Sequence, residues 1–292
     1  MGPDGVGGAP LSAIRKSVVS LLLLVVGTVL AKPAAADPAA LSPTLESGFR
    51  QMYNLDFAGA HATFEAWESA HPDDAVGPVS NAAAYLFSEF NRLHILESEL
   101  FTDNDKFAKR KKLVPDPQVR DAFDRELSKG DQIAGRVLSN SPRDANALFA
   151  KVMANGLRGD YAAMVEKRNM AGLGYMKAGR VLAQQLLSLD PSYYDAYLAI
   201  GVENYLLGET SAPVRWFLRL GGAETNKEDG IAKLRLTAEK GRYLAPYARL
   251  LLAVAALRNH DRETARRLLS DLADEFPQNH LYRKELAQLQ LP

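Results

Sequence analysis

The chain has 292 residues, 47% of them apolar and 24% charged, values of an ordinary folded protein and not of a disordered one. Basic and acidic residues tie at 35 each, so no excess positive charge exists to neutralise a phosphate backbone, and nucleic acid is not an expected partner. Cysteine is absent, which excludes disulfides, thiolate nucleophiles and cysteine zinc sites.

In chain order, the first element is a leader. Arg15 and Lys16 precede an apolar run from Val18 to Ala31, and Lys32-Pro33-Ala34-Ala35-Ala36-Asp37 follows it. A basic stretch, an apolar run of about 7–15 residues and a small-x-small site together make a secretory signal peptide. Cleavage is expected after Ala36, so that residues 1–36 are removed, 37–43 form a linker and 44–290 form the folded domain. The run is short for a membrane span, which takes about 20 residues; an uncleaved signal anchor is the alternative reading.

Beyond the linker the pattern is helical. Ile133, Val137 and Leu138, and again Leu268, Leu269 and Leu272, recur at spacings of three and four. Helices are predicted at 44–55, 57–71, 76–100, 117–140, 144–158, 160–189, 193–208, 211–220, 226–241, 243–258, 261–276 and 279–289. Pro115-Asp116-Pro117, Ser141-Pro142 and Gly221-Gly222 supply turns between them. Residues 101–117 and 208–226 read as insertions, and 158–174 lengthen one helix pair. No alternating, strand-like segment of useful length occurs, so the expected fold is all-α.

The helices carry recurring marks. After Asp190-Pro191, Tyr197 stands three residues before Ile200-Gly201, and Ala196 adds a second small residue. Near the start, Gly48 is followed by Phe57, by Ala60 four before Phe64, and by Pro72; near the end come Leu252-Ala253, Ala265 four before Leu269, and Pro277. This spacing resembles the tetratricopeptide repeat (TPR), a ~34-residue pair of antiparallel helices with small residues at the crossing and a proline closing the second helix. More narrowly, Tyr194 to Gly201, Asn204-Tyr205, Pro213 to Leu220, Glu228 to Leu234 and Arg262 to Leu269 resemble exported bacterial TPR proteins of undefined function. The central unit departs from the pattern, with Lys151-Val152 where Leu-Gly is usual. The resemblance implies an α-α superhelix, a solenoid of stacked antiparallel helix pairs, that binds proteins. With the leader, it implies a location in the bacterial cell envelope, periplasmic or secreted.

A search for chemistry is mostly empty. No two of the five histidines are spaced to share a helical face around a metal. His61 and His71 read as solvated, His94 as a packed core histidine beside Leu93 and Ile95, and His260 as a turn residue before Asp261. Gly172, Gly174 and Gly179 do not match a dinucleotide fingerprint and read as helix-packing glycines. Asp103-Asn104-Asp105 lacks the glycine and the closing glutamate of a calcium loop, with Val114 at the latter place. Carboxylates such as Asp271 and Asp274 read as solvated faces, and the basic run from Lys106 to Lys112 as a solvated loop.

The expectation is therefore a non-catalytic scaffold with no metal and no cofactor, whose partner is a protein or peptide taken up in a concave helical groove. The contact positions of the Tyr194 unit are Asp195, Leu198, Val202, Tyr205 and Leu206, a largely apolar set with one charge. Arg215, Trp216, Phe217 and Arg219 add an aromatic and arginine-rich patch of the kind that dominates interface hot spots. The same segment allows two other readings, a short helix packed on the superhelix and a contact with the lipid interface. A membrane-peripheral protein is thus the alternative function, with an enzyme on a helical solenoid behind it.

Overall fold

The computed structural model describes residues 44–95, 113–209 and 226–289. The leader, the linker, the basic run at 106–112 and the patch at 212–220 lie outside the described residues.

Eleven α-helices follow one another among the described residues: α1 Leu45–Tyr53, α2 Phe57–Ala70, α3 Val76–Arg92, α4 Pro117–Asn140, α5 Ala145–Asp160, α6 Asn169–Leu189, α7 Tyr197–Gly208, α8 Lys227–Lys240, α9 Ala245–Arg258, α10 Arg262–Glu275 and α11 His280–Leu289. A π turn, Tyr161–Val165, follows α5, and a 3-10 turn, Tyr194–Ala196, precedes α7. No strand occurs among them. Each helix packs on its neighbour in sequence, most closely α5 on α6, α7 on α8 and α3 on α4. None of these helices is long and apolar enough to cross a membrane.

The starts are set by side chains that accept the unpaired N–H groups of a first turn. Asp56, Asp116, Asp144 and Asp261 cap α2, α4, α5 and α10 in this way, and Pro117 opens α4 where its missing N–H costs nothing. The ends repeat as well. After α2, α4, α6 and α10 the same turn recurs at His71-Pro72, Ser141-Pro142, Asp190-Pro191 and Phe276-Pro277. In each, the residue before proline donates its N–H to the carbonyl four back and accepts one from the residue three ahead. A residue before proline is driven out of helical conformation, so the sequence itself stops these helices. Within the first and last pairs a second turn also repeats: Leu55 and His260 have positive φ (68° and 59°) ahead of the capping aspartates Asp56 and Asp261.

Backbones approach closely where small residues allow it. A Cβ on Gly230 would lie 2.5 Å from the Tyr205 amide nitrogen, and one on Gly201 would lie 3.0 Å from the Gly230 carbonyl oxygen, so α7 and α8 cross glycine to glycine. Gly172 and Gly179 of α6 also face α5, as the sequence led one to expect, but less closely: a Cβ would lie 3.2 Å from the Gly159 carbonyl oxygen and 3.5 Å from the Asn155 Cβ, whereas Gly174 meets nothing.

Two expected helices differ. The helix predicted over 76–100 ends at Arg92, and His94 sits beyond it at φ 50° on the surface, not in the core. The helix predicted over 160–189 is broken: the π turn leads into residues 166–168, with Lys167 at φ 57°, before α6 begins. Tyr161 to Val165 is apolar throughout, so periodicity gave no sign of the break.

The first pair meets the last. Tyr53 donates its hydroxyl to the Tyr243 carbonyl at 3.1 Å and packs its ring against Phe276 at a tilt of 54°, with centroids 5.5 Å apart. Asn279 donates to the Tyr53 carbonyl at 2.9 Å, and the Gln278 N–H donates to the Asn54 side chain at 3.2 Å. Buried polar groups must find partners, and these partners lie across the whole length of the chain.

Candidate functional site

Closure brings the first helix of each pair around one space. Phe49, Met52 and Tyr53 of α1, Ala83 and Phe87 of α3, Val152, Met153, Gly156 and Leu157 of α5, Leu198, Ala199 and Val202 of α7, and Tyr247 of α9 line a chamber. Gly172, Met176 and Gly179 of α6 complete its wall. It offers about 110 Å³ to water-sized spheres and runs through an open mouth into solvent. Its make-up, apolar with a few polar groups, is that of sites which bury an apolar body and orient it.

Two carboxylates reach this wall, Asp160 and Asp195. Asp195, just ahead of α7, is 3% exposed, and its oxygens accept the N–H groups of Arg242 at 2.9 Å, Tyr243 at 3.2 Å and Leu244 at 2.8 Å. These amides belong to the turn that leads into α9, so the carboxylate satisfies buried turn donors and lies near the positive end of the helix dipole. Burial nonetheless pushes its carboxyl above the usual range, against the lowering effect of those amides.

Asp160 is different. It is 7% exposed, and its side chain has no hydrogen bond and no ion pair among the described residues. Burial alone pushes its carboxyl well above the usual carboxylate range. Its negative charge also helps to raise the Tyr247 phenol, after burial itself. On α5 it continues the chamber-lining stripe of Val152, Met153, Gly156 and Leu157, at a place where helical spacing calls for another apolar residue. Gly156 is exposed at the mouth, and a Cβ on it would touch nothing within 4 Å.

Of the sequence-predicted positions, Asp195, Leu198 and Val202 lie at the chamber wall. Tyr205 and Leu206 are fully buried on other faces of α7, with the Lys227 ammonium 5.6 Å from the centre of the Tyr205 ring and its phenol raised by burial. Arg215, Trp216, Phe217 and Arg219 lie outside the described residues. Asp160 and Gly156 were passed over. The available signal was a carboxylate in register with an apolar stripe, a break of the binary pattern that marks functional positions.

Other polar clusters are accounted for by packing. Glu68 pairs with Lys129 and accepts from Asn81, which also bonds His61 at 2.6 Å; His61 is thus half-buried against Tyr85 and not solvated. Arg180 donates its Nε to both Glu203 oxygens at 3.1 and 3.0 Å in a buried pair between α6 and α7. No group of three or more His, Asp or Glu spaced for a metal ion occurs among the described residues.

No known protein family matches the sequence, and no curated protein matches it at a significant level.

Proposed function

We propose that this protein is an exported, non-catalytic binding protein of TPR-like helix pairs, and that its inner helices receive an apolar segment of a protein partner. The recurring pre-proline turns and the small-residue crossings support the repeat reading. On that reading the solenoid is short and wound tightly enough for its first pair to meet its last. The groove expected of an open superhelix is then a chamber. Export and a place in the cell envelope rest on the leader pattern of residues 1–36.

One observation carries the reading: helices from every pair converge on one apolar space with a single unused charge. Filling it is the test. Gly156→Phe places an aromatic ring in the open space before α5 and is expected to abolish partner capture at unchanged helicity. A photo-cross-linker at position 156 should trap the partner, and one at exposed Val181 of α6 should not. Equal trapping from both positions sinks the proposal.

The apolar lining favours a second reading, a free lipophile in place of a peptide segment, and it is the chamber-based form of a lipid-binding protein. Displacement of a neutral apolar fluorophore by peptides or by alkyl compounds separates the two.

A further inference from the structure

Resting on the chamber as a binding site, we infer that Asp160 receives the ammonium group of an otherwise apolar guest, whose body lies against Phe87, Met153 and Val202. The carboxylate is buried, borders the chamber, and is used by no other group of the described residues. It stands at the end of α5, where the π turn Tyr161–Val165 begins. Such turns are rare and often accompany functional positions. No hydrogen bond or ion pair holds the carboxylate, and its oxygens reach the chamber rather than being sealed in the wall, so they are open to a guest.

The chemistry of the wall selects the guest. An anion is repelled by Asp160 and Asp195, and a wholly apolar guest leaves the carboxylate desolvated and unpaired. A hydroxyl forms one neutral hydrogen bond, weaker than the charge-assisted bond of an ammonium. A guanidinium carries five donors, and one carboxylate cannot satisfy them; a compact ammonium suits it better. The amine belongs either to a peptide, as a lysine side chain or an N-terminus, or to a free alkylamine.

Binding then depends on pH with a defined sign. The other titratable groups lining the chamber are Tyr247 of α9, which feels the Asp160 charge, Tyr53 of α1 and Asp195 before α7; α3, α6 and α7 present apolar residues or glycine. Both tyrosines are raised well above the ordinary phenol range, and Asp195 is held by backbone amides. Asp160 is therefore the group that responds below the phenol range. An ammonium guest favours the carboxylate, so its binding releases a proton. Affinity rises with pH, by up to about tenfold per unit, up to the raised value of the Asp160 carboxyl in the empty protein, and is then level until the amine itself deprotonates near pH ~10.

The test titrates the purified protein with octylamine, octanol and octanoate by calorimetry, between about pH 5 and pH 9. It adds the amidated peptide Ac-Leu-Leu-Lys-Leu-Leu and its norleucine counterpart. Octylamine is expected to bind about ten- to a hundredfold more tightly than octanol at neutral pH. Asp160→Asn is expected to erase that preference and its pH dependence while leaving octanol unchanged. Gly156→Phe should abolish binding of every probe. A lysine peptide that outbinds octylamine supports a protein source for the amine, and the reverse supports a free amine. Octanoate binding best, or an amine preference that survives Asp160→Asn, overturns the inference while the chamber stands. No binding by any probe, with no change on Gly156→Phe, removes the chamber reading as well.

Discussion

The pair α7/α8 and the pair α5/α6 solve the same packing problem in opposite ways. In α7/α8 the crossing is backbone on backbone at Gly201 and Gly230, and the aspartate that precedes it, Asp195, spends its oxygens on the turn that leads into α9. In α5/α6 the connection is a π turn, and the aspartate beside it, Asp160, is left unpaired at the chamber. One pair is frame, with its aspartate committed to backbone amides; the other gives up regular geometry and some stability where a guest would be met. Similar residues thus have different consequences, decided by which amides lie within reach.

Substitutions that exchange these characters test the contrast. The largest effect is expected at Gly230. Gly230→Ala drives a methyl group into the Tyr205 backbone, which cannot give way, and should cost about 3 kcal/mol in urea unfolding. Asp195→Ala strands the buried N–H groups ahead of α9 and should cost about 2 kcal/mol by the same measurement.

Asp160→Asn should do the reverse. The Asp160 carboxyl is raised in the folded protein, so the unfolded chain ionises first as pH rises. Native stability then falls with increasing pH between the ordinary carboxylate range and the folded value, by up to about 1.4 kcal/mol per unit. The asparagine variant escapes that loss. Its melting temperature should exceed that of the parent at pH ~7 and match it at pH ~3, below both values. Equal melting temperatures at both would show that Asp160 is paired after all. Smallest is Gly156→Ala, whose methyl group meets open space and should stabilise α5 by about 0.8 kcal/mol through helix propensity alone.

Much of the frame was legible in the sequence, because its signals are local. Pro117 and Ser141-Pro142 bracket a helix predicted at 117–140 and found at Pro117–Asn140. The crossing small residues Gly48, Gly201 and Ala265 are buried between helices, as their spacing in the sequence indicated. The site was less legible. α7 is apolar nearly all round, so its sequence does not say which face turns inward, and Tyr205 and Leu206 went to the interior while Leu198 and Val202 reached the chamber. Asp160 was visible as a residue but not as an anomaly, since Asp at a helix end before an apolar stretch looks like a routine terminus.

By itself, then, the sequence determined what short-range chemistry controls: where helices stop at a residue before proline, which carboxylates cap the next first turn, and where glycine lets two helices touch. The tertiary structure alone decided that Tyr53 would bond to Tyr243 and Asn279, closing the first pair on the last and turning a row of inner helices into a chamber. That contact joins residues about two-thirds of the chain apart, and its energy comes from buried polar groups finding partners and apolar faces leaving water. No local pattern encodes such a distance, and the role inferred for Asp160 exists only because of it.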